Sequence, residues 1–448
     1  MVNRELTLQT EDYSLLTDLY ELTMVACYAG EDLAERPASF ELFVRSLPDD
    51  FGYLIAMGLA EVLNYLENWR FTDSQLESLQ QLDIFAHAPA QFWSLLHSGR
   101  FTGNVWAVPE GTAIFANEPI LRVEAPLWQA QVVETFVLNA INYQSLIATK
   151  AARIRDAAGP EATLLEFGTR RAFSPQGAVW AARAALAAGL NATSNVIAAL
   201  KLGQSPKGTM AHSLVMGIGA LSGSEDEAFE AFLRYFPDAT LLIDTYDTIA
   251  AAERIAERIK AGKKVTGVRL DSGDLVELSQ KVRSLLPEIN IVASGDLDEG
   301  EINRLIKAGA SIDGYGLGTK LVTGHPVNGV YKLVEIDGIP TMKESSSKVT
   351  YPGRKQVFRS QSDAHIHQDR LALADESPQQ GEQGVLQLVM KQGDRQQLPE
   401  TLETIRQRTT ATVKRLPSHT RQFTEPTPLT VEISAPLDSL RRSVSSKQ

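Results

Sequence analysis

A handful of short segments place residues capable of anion binding, acid–base or nucleophilic chemistry side by side. Gly267-Val268-Arg269-Leu270-Asp271-Ser272-Gly273-Asp274 carries one arginine and two acids. Arg269 and Asp271 lie two apart, so on a regular strand they share a face. There they either present a carboxylate clamp beside an acid or neutralise each other. Asp271 or Asp274 could bind ribose hydroxyls, a metal or a developing cationic sugar. Glu166-Phe167-Gly168-Thr169-Arg170-Arg171 ends in adjacent arginines. Their forked guanidinium groups suit phosphate or pyrophosphate oxygens, the plainer alternative being a surface ion pair with Glu166 or a neighbouring acid. Ser294-Gly295-Asp296 and Gly314-Tyr315-Gly316-Leu317-Gly318-Thr319-Lys320 are loops whose glycines let backbone N–H groups turn towards an anion. Neither is a Walker A loop or a dinucleotide fingerprint, and a tight turn would explain either one alone. His212 can serve as acid, base or nucleophile near neutral pH, although a lone histidine is more often structural. By spacing alone Tyr20 is one more half-buried helix residue.

Parallel strands would bring these segments together. From about Gly159 to Val334, apolar runs recur, each ending in a polar or glycine-rich cluster and mostly followed by a helical pattern: LLEFGTRR, NVIAALKLG, TMAHSLV, LLIDTYD, GVRLDSGD, IVASGD and DGYGLGT. Such β-then-α spacing predicts an α/β fold, an irregular (β/α) barrel whose chemistry sits at the C-terminal ends of its strands. Upstream, the spacing predicts a helix over Tyr13 to Ala29, a strand over Phe40 to Leu47, short strands within Asn104 to Ala125 and a helix from Trp128 to Ala157. Downstream, RLALA and GVLQLVM read as strands and Leu402 to Val413 as a helix. The predicted organisation is an N-terminal α+β domain over 1–158, a catalytic barrel over 159–350, a C-terminal extension packing on the other domains over 351–435, and a disordered tail over 436–448.

Composition narrows the class. The chain has 448 residues, 44% hydrophobic and 22% charged, in the range of a globular protein. Its longest apolar stretch, around Ala178 to Leu200, is interrupted by Arg183 and Asn191, so no membrane span is expected. The polar, acidic N-terminus lacks a signal pattern, and a single cysteine, Cys27, excludes an internal disulfide and a cysteine-based zinc cluster. A cytoplasmic setting is expected. The net charge of −12 argues against a broad nucleic-acid surface but not against a phosphate pocket built from a few converging cations.

Taken together these segments resemble the nicotinate phosphoribosyltransferase family. The resemblance rests on TDLYELTM at Thr17, FELFVRSLP at Phe40, EFGTRRAFSPQGA at Glu166, KGTMAHS at Lys207, LIDTYDT around Ile243, GVRLDSGDL at Gly267, ASGDLDE at Ala293 and GYGLGTKLVT at Gly314. It covers roughly residues 13 to 360, and nothing beyond is recognised. It implies an irregular barrel of the type II phosphoribosyltransferase kind beside an N-terminal α+β domain, in a homodimer whose active sites are shared between subunits. The implied reaction joins nicotinate to phosphoribosyl pyrophosphate, giving nicotinate mononucleotide and pyrophosphate with ATP hydrolysis coupled to it, the entry step of NAD synthesis from the free acid. Magnesium would accompany the pyrophosphate and ATP, with no protein metal ligand assigned. Carried across, His212 matches the histidine that ATP phosphorylates, and Tyr20, from the partner subunit, and Phe167 would sandwich the pyridine ring. Thr209 and Arg269 match nicotinate-contacting positions. Thr319 with the Gly316 and Gly318 backbone matches the phosphoribosyl phosphate site, shared with Ser294 and Gly295. Arg170, Arg171 and Asp271 fall near the pyrophosphate and ribose, and Glu166 or an aspartate would orient the imidazole. Competing readings are the sister activity on nicotinamide, a quinolinate enzyme, a barrel lyase or isomerase acting on a sugar phosphate, and a non-catalytic phosphoribosyl sensor.

Overall fold

The computed structural model describes residues 6–345, 348–362 and 364–446. The chain forms two compact units, one from residues 1–146 and 326–448, the other from 147–325. The predicted boundaries differ from this division. Residues 326–350, expected in the barrel, belong to the first unit. The reason is strand pairing: Val330–Ile336 lies antiparallel beside Pro37–Phe43, from Phe43 opposite Val330 to Ala38 opposite Ile336.

The first unit is built on a seven-stranded antiparallel sheet. Its order is Ile339–Pro340, Val330–Ile336, Pro37–Phe43, Pro119–Pro126, Asn104–Ala107, Gln387–Lys391, Asp394–Arg395. The C-terminal region therefore completes the sheet begun by the N-terminal one. RLALA and GVLQLVM do form strands, but in different sheets: Ile366–Leu373 pairs with Lys355–Gln361 in a separate four-stranded sheet. The expected helix from Tyr13 is a 3-10 turn, Thr10–Ser14, followed by a helix over Leu19–Gly30. Between them the Asp18 amide, at the cap of the helix, donates to Thr135 Oγ1 at 3.1 Å, and that hydroxyl donates back to Asp18 Oδ2 at 3.3 Å, a contact between residues distant in sequence. The tail expected to be disordered is helical over Ala435–Ser445, capped by the Ser434 side chain, with Leu437 buried against the unit. Residues 447–448 lie outside the described set.

The second unit carries six parallel strands: β1 (Thr163–Glu166), β2 (Ala192–Thr193), β3 (Thr240–Leu242), β4 (Gly267–Leu270), β5 (Asn290–Ser294) and β6 (Gly314–Leu317). The order is β2-β1-β6-β5-β4-β3, so first and last strands are neighbours and the sheet curls as part of a barrel. Two of the seven expected strand runs are otherwise. NVIAALKLG is the helix Val196–Lys201, started by the Asn195 side chain accepting from the Ala198 amide; its unbroken apolar run fits strand or helix equally by spacing. The TMAHSLV run has no strand: Thr209–Ala211 is extended but unladdered, and His212 opens the helix His212–Ser222. The chain thus leaves a gap in the ladder between β2 and β3, which makes the barrel irregular.

The long apolar stretch becomes the helix Pro175–Ala187, with Ser174 as its cap and proline in its first turn. Its inward positions are Ala178, Ala181, Ala182, Ala184 and Ala185, small residues that let the helix pack closely in the core. Among the described residues no helix is long and apolar enough to cross a membrane. Three helices that follow strands are capped by aspartates, Asp247, Asp274 and Asp298, each accepting from amides of the first turn. Asp274, a candidate for ribose or metal binding by its place in the sequence, is one of these caps.

Arg153, 1% exposed, donates through Nε to Glu299 Oε1 at 2.7 Å inside the second unit. Removing one partner of such a buried pair leaves a charge stranded, a loss of about 3–5 kcal/mol. Arg153→Ala is therefore expected to lower urea stability by that order, whereas Arg153→Met combined with Glu299→Leu recovers a large part of it. A single variant costing under about 1 kcal/mol would show that the pair is dispensable.

Candidate active site

The C-terminal ends of β3, β4 and β5 converge on Arg269. Its Nε donates to Ser294 Oγ at 2.8 Å, Nη1 to Thr209 Oγ1 at 2.6 Å and to the Met210 carbonyl at 3.2 Å, and Nη2 to Asp271 Oδ1 at 2.9 Å. Ser294 Oγ also donates to Asp271 Oδ1. Four of the five guanidinium hydrogens are thus engaged, leaving one on Nη2. The expected open, bidentate clamp is in this form mostly occupied by protein oxygens. Arg269 and Asp271 do share a face, as their spacing predicts, and they pair.

Asp271 is half-buried. Burial pushes its carboxyl up, but the hydrogen bonds from Ser294 and Arg269, the Arg269 charge and nearby His212 outweigh it and hold the group below its ordinary value. It stays ionised across the physiological range, and this contribution to stability is lost only as pH falls through that depressed value.

His212 presents two faces. Nδ1 lies 3.1 Å from Thr245 Oγ1 and Nε2 lies 4.0 Å from Asp271 Oδ2, too long for a hydrogen bond but within ion-pair range. The acid facing the imidazole is therefore Asp271. Glu166 serves the scaffold instead. It is 1% exposed, with Oε2 accepting from the Thr193 hydroxyl and Oε1 from the Gly168 amide. Burial pushes its carboxyl up, partly offset by these two bonds. It ties the end of β1 to the end of β2, which argues against a direct role in catalysis.

Phe167 follows β1, and its ring lies over Gly316 of β6. A methyl group at Gly316 would sit 2.6 Å from the ring edge, so only glycine fits there. The Arg269 guanidinium carbon is 5.8 Å from the centre of the same ring, within cation–π range. Ser294 is in register with Gly316 across β5 and β6. Gly295 adopts φ +95°, and a side chain there would meet the Asp271 carbonyl at 2.4 Å. Gly318 and Thr319 lead into the one-turn helix Thr319–Val322. Arg170 and Arg171 are exposed on the loop leaving β1, outside the Arg269 cluster. Tyr20 belongs to the first unit, half exposed on the helix Leu19–Gly30.

Two site residues had no role from sequence. Asp244 Oδ2 accepts from the Asp271 amide at 2.8 Å and from Ser272 Oγ at 2.7 Å, bracing the loop that aims Asp271. Thr245 engages His212. Both follow β3, so the strand-end rule that found the others points to them equally.

The comparisons agree with this arrangement. The profile described as "Nicotinate phosphoribosyltransferase (NAPRTase) family" matches residues 162–362, its N-terminal domain residues 15–142 and its C-terminal domain residues 382–441. The chain belongs to the nicotinate phosphoribosyltransferase family. A nicotinate phosphoribosyltransferase of Mycobacterium tuberculosis is 46% identical over 357 residues, covering 77% of this chain and 75% of its own. One from Bacillus subtilis is 44% identical over 386 residues, covering 82% and 77%. The crystal structure of human nicotinic acid phosphoribosyltransferase superposes with TM-score 0.82 at 29% identity, over 96% of this chain and all of that one. The family's C-terminal domain thus matches residues 382–441, within the region beyond 360 in which the sequence showed no resemblance.

The contact between Phe167 and Gly316 yields a direct test. Gly316→Ala forces the ring to move and is expected to cost about 1–3 kcal/mol in denaturant unfolding. Adding Phe167→Leu should return most of that loss, whereas strictly additive effects would mean the two do not touch.

Proposed function

We propose that the chain catalyses transfer of a phosphoribosyl group from phosphoribosyl pyrophosphate to nicotinate, forming nicotinate mononucleotide and pyrophosphate, with ATP hydrolysis coupled through a phosphohistidine. The observation that carries this reading is the Arg269 cluster: a guanidinium over an aromatic ring, beside an ionised carboxylate and an imidazole, at the C-terminal mouth of a parallel sheet. The family membership and the 44–46% identity to named nicotinate phosphoribosyltransferases support it.

In this reading Phe167 offers one face for the pyridine ring and Tyr20 of a second copy in a homodimer the other, each stacked pair contributing about 0.5–1.5 kcal/mol beyond burial. The remaining Nη2 hydrogen of Arg269 and the Thr209 hydroxyl meet the nicotinate carboxylate. The pyridine nitrogen bonds to C1 of the ribose as the bond from C1 to the pyrophosphate oxygen breaks. Positive charge builds on the sugar, and Asp271, already ionised and braced by Asp244, stabilises it without reorganising. Backbone groups of Gly295, Gly316 and Gly318 with Thr319 take the ribose phosphate, and Arg170 and Arg171 are the available cations for pyrophosphate.

Magnesium enters as part of the substrate, on pyrophosphate oxygens, where a hard cation takes at most one or two protein carboxylates. Among the described residues no cluster of three metal-binding side chains exists. Asp244 fits the lesser role, since its Oδ1 is buried without a hydrogen-bond partner. ATP transfers its terminal phosphoryl group to His212, the N–P bond forming as the bond to ADP breaks, and water later cleaves it. His212 stands at the first position of an eleven-residue helix, where the helix N-terminus favours added negative charge.

The test is product formation from nicotinate and, separately, nicotinamide, each with phosphoribosyl pyrophosphate and magnesium, with and without ATP. Turnover of nicotinate alone, raised by ATP, is expected. His212→Ala should fall to the unstimulated rate, and Arg269→Lys should lower kcat/KM for nicotinate about thirtyfold or more, roughly 2 kcal/mol. Turnover of neither base would favour the sugar-phosphate lyase reading.

A further inference from the structure

The acid next to Tyr20 is buried, and a second acid lies against it. Glu21 is 0% exposed on the helix Leu19–Gly30. Its Oε2 accepts from Gln131 Nε2 at 2.6 Å, and the same nitrogen donates to Glu134 Oε2 at 3.2 Å. Two carboxyl groups therefore converge on one amide nitrogen, whose two hydrogens are then spent. Glu21 Oε1 is buried with no partner in hydrogen-bond geometry. Two ionised carboxylates cannot be held so close away from water.

The surroundings break the symmetry between the two acids. Glu134 opens the helix Glu134–Ala158, where the N-terminal dipole favours a negative charge. Lys332 faces it, with Arg45 and Lys343 near that lysine and Glu21 a weaker influence on it. Glu21 is the more deeply buried of the two, 0% exposed against 9%, and lies among phenols that Glu134 largely shares: Tyr20, Tyr28, whose hydroxyl is 3.5 Å from Gln131 Oε1, and Tyr331 are near both acids and Tyr65 is near Glu21, with Cys27 and Asp18 nearby. The Tyr20 phenol is itself pushed up by burial and by the Glu134 and Glu21 charges.

We propose that Glu21 and Glu134 share one proton, carried by Glu21 at neutral pH, and that this acid–carboxylate pair fixes the first turn of the helix so that Tyr20 is held ready to stack on a substrate ring. Glu21 is then a positioning residue acting through Tyr20, and that half of the inference rests on the proposed role of Tyr20 as a nicotinate-stacking residue. Burial is the main reason the Glu21 carboxyl is pushed up to about 8, with the Glu134 charge adding to it and the Gln131 hydrogen bond opposing. Burial also raises Glu134, while Lys332 pulls it back. The sign follows from linkage: a carboxyl whose folded value lies above its unfolded one contributes stability at low pH that is lost as pH rises through the folded value.

The experiment compares the full-length wild type with Glu21→Gln and Glu134→Gln by denaturant unfolding from pH 5 to 9, and measures nicotinate KM and kcat at pH 7 and 9. Between about pH 5 and 8 the wild-type unfolding constant should rise up to tenfold per pH unit more steeply than that of Glu21→Gln, one proton's worth. Parallel profiles would overturn the shared proton. In Glu134→Gln the extra slope should end at a lower pH, and an unmoved end point would leave Glu21 buried but unpaired with Glu134. Wild-type KM should rise several-fold from pH 7 to 9 with kcat little changed, while that of Glu21→Gln stays level. Level KM in both proteins would refute the positioning of Tyr20 even with the proton linkage intact. Absence of nicotinate turnover would instead sink the proposed function, and the unfolding profiles would still decide the proton pair.

Discussion

The hydrogen bonds radiating from Arg269 do for the second unit what a backbone ladder does elsewhere in it. Among the described residues no ladder joins β2 to β3, yet the chain must pass between them to reach His212. Arg269 spans the gap by donating to the Thr209 hydroxyl and the Met210 carbonyl from a strand that is itself fully laddered. One end of that connection is held by backbone, through the Lys207 amide on the Thr193 carbonyl at 2.9 Å. The other end depends on a side chain. The start of the helix bearing His212 is therefore placed by a charge-assisted contact, and charge-assisted bonds to neutral acceptors are about twice as strong as neutral ones.

The acids at the strand ends illustrate how similar sequence positions acquire different physics. Asp247, Asp274 and Asp298 each spend one oxygen on first-turn amides and are fixed as caps, the other oxygen of Asp298 taking Lys320. Asp244 and Asp271 stand closer to the strands, where no helix amide reaches them, and take other partners: one oxygen of Asp244 takes the Asp271 amide, and Asp271 takes Arg269 and Ser294. This is a shell behind a shell. Asp244 has no direct line to His212 in the bonds described, but it sets the carboxylate that does.

Much of this was legible from residue spacing. The strand-end clusters located Arg269, Asp271, Ser294 and His212 in one place, because parallel strands deliver their C-terminal residues to a common edge. Arg269 and Asp271 two apart gave their shared face, and the structure decides between an open clamp and a pair in favour of the pair. What failed has a common cause, namely that periodicity does not see partners distant in sequence. Val330–Ile336 falls within the expected barrel by its place in the chain, but its partner is Pro37–Phe43, almost three hundred residues earlier. Glu166 is one of two candidates for orienting the imidazole until Thr193 and the Gly168 amide are found on its oxygens. The tail beyond 436 reads as polar and loose, and only the Ser434 cap with buried Leu437 makes it a helix. Glu21 could not be distinguished from an exposed helix residue, because its burial depends on Gln131 and Glu134.

The occupied fork of Arg269 bears on how such a site would tell an acid from an amide. Arg269 and Asp271 together are close to neutral, so a nicotinate carboxylate arriving at the remaining Nη2 hydrogen meets an attractive guanidinium and a repulsive carboxylate at once. Two unit charges about 4 Å apart interact by roughly 4 kcal/mol near a protein surface, so neither contribution is negligible. Preference for the acid then requires the guanidinium to be the nearer of the two, which the rigid hold of Ser294 and Asp244 on Asp271 secures by keeping that carboxylate from swinging inward. A neutral amide would feel neither attraction nor repulsion strongly and would lose the contrast that geometry provides. On the proposed reaction, selectivity is therefore a property of the braces around Asp271 as much as of Arg269 itself.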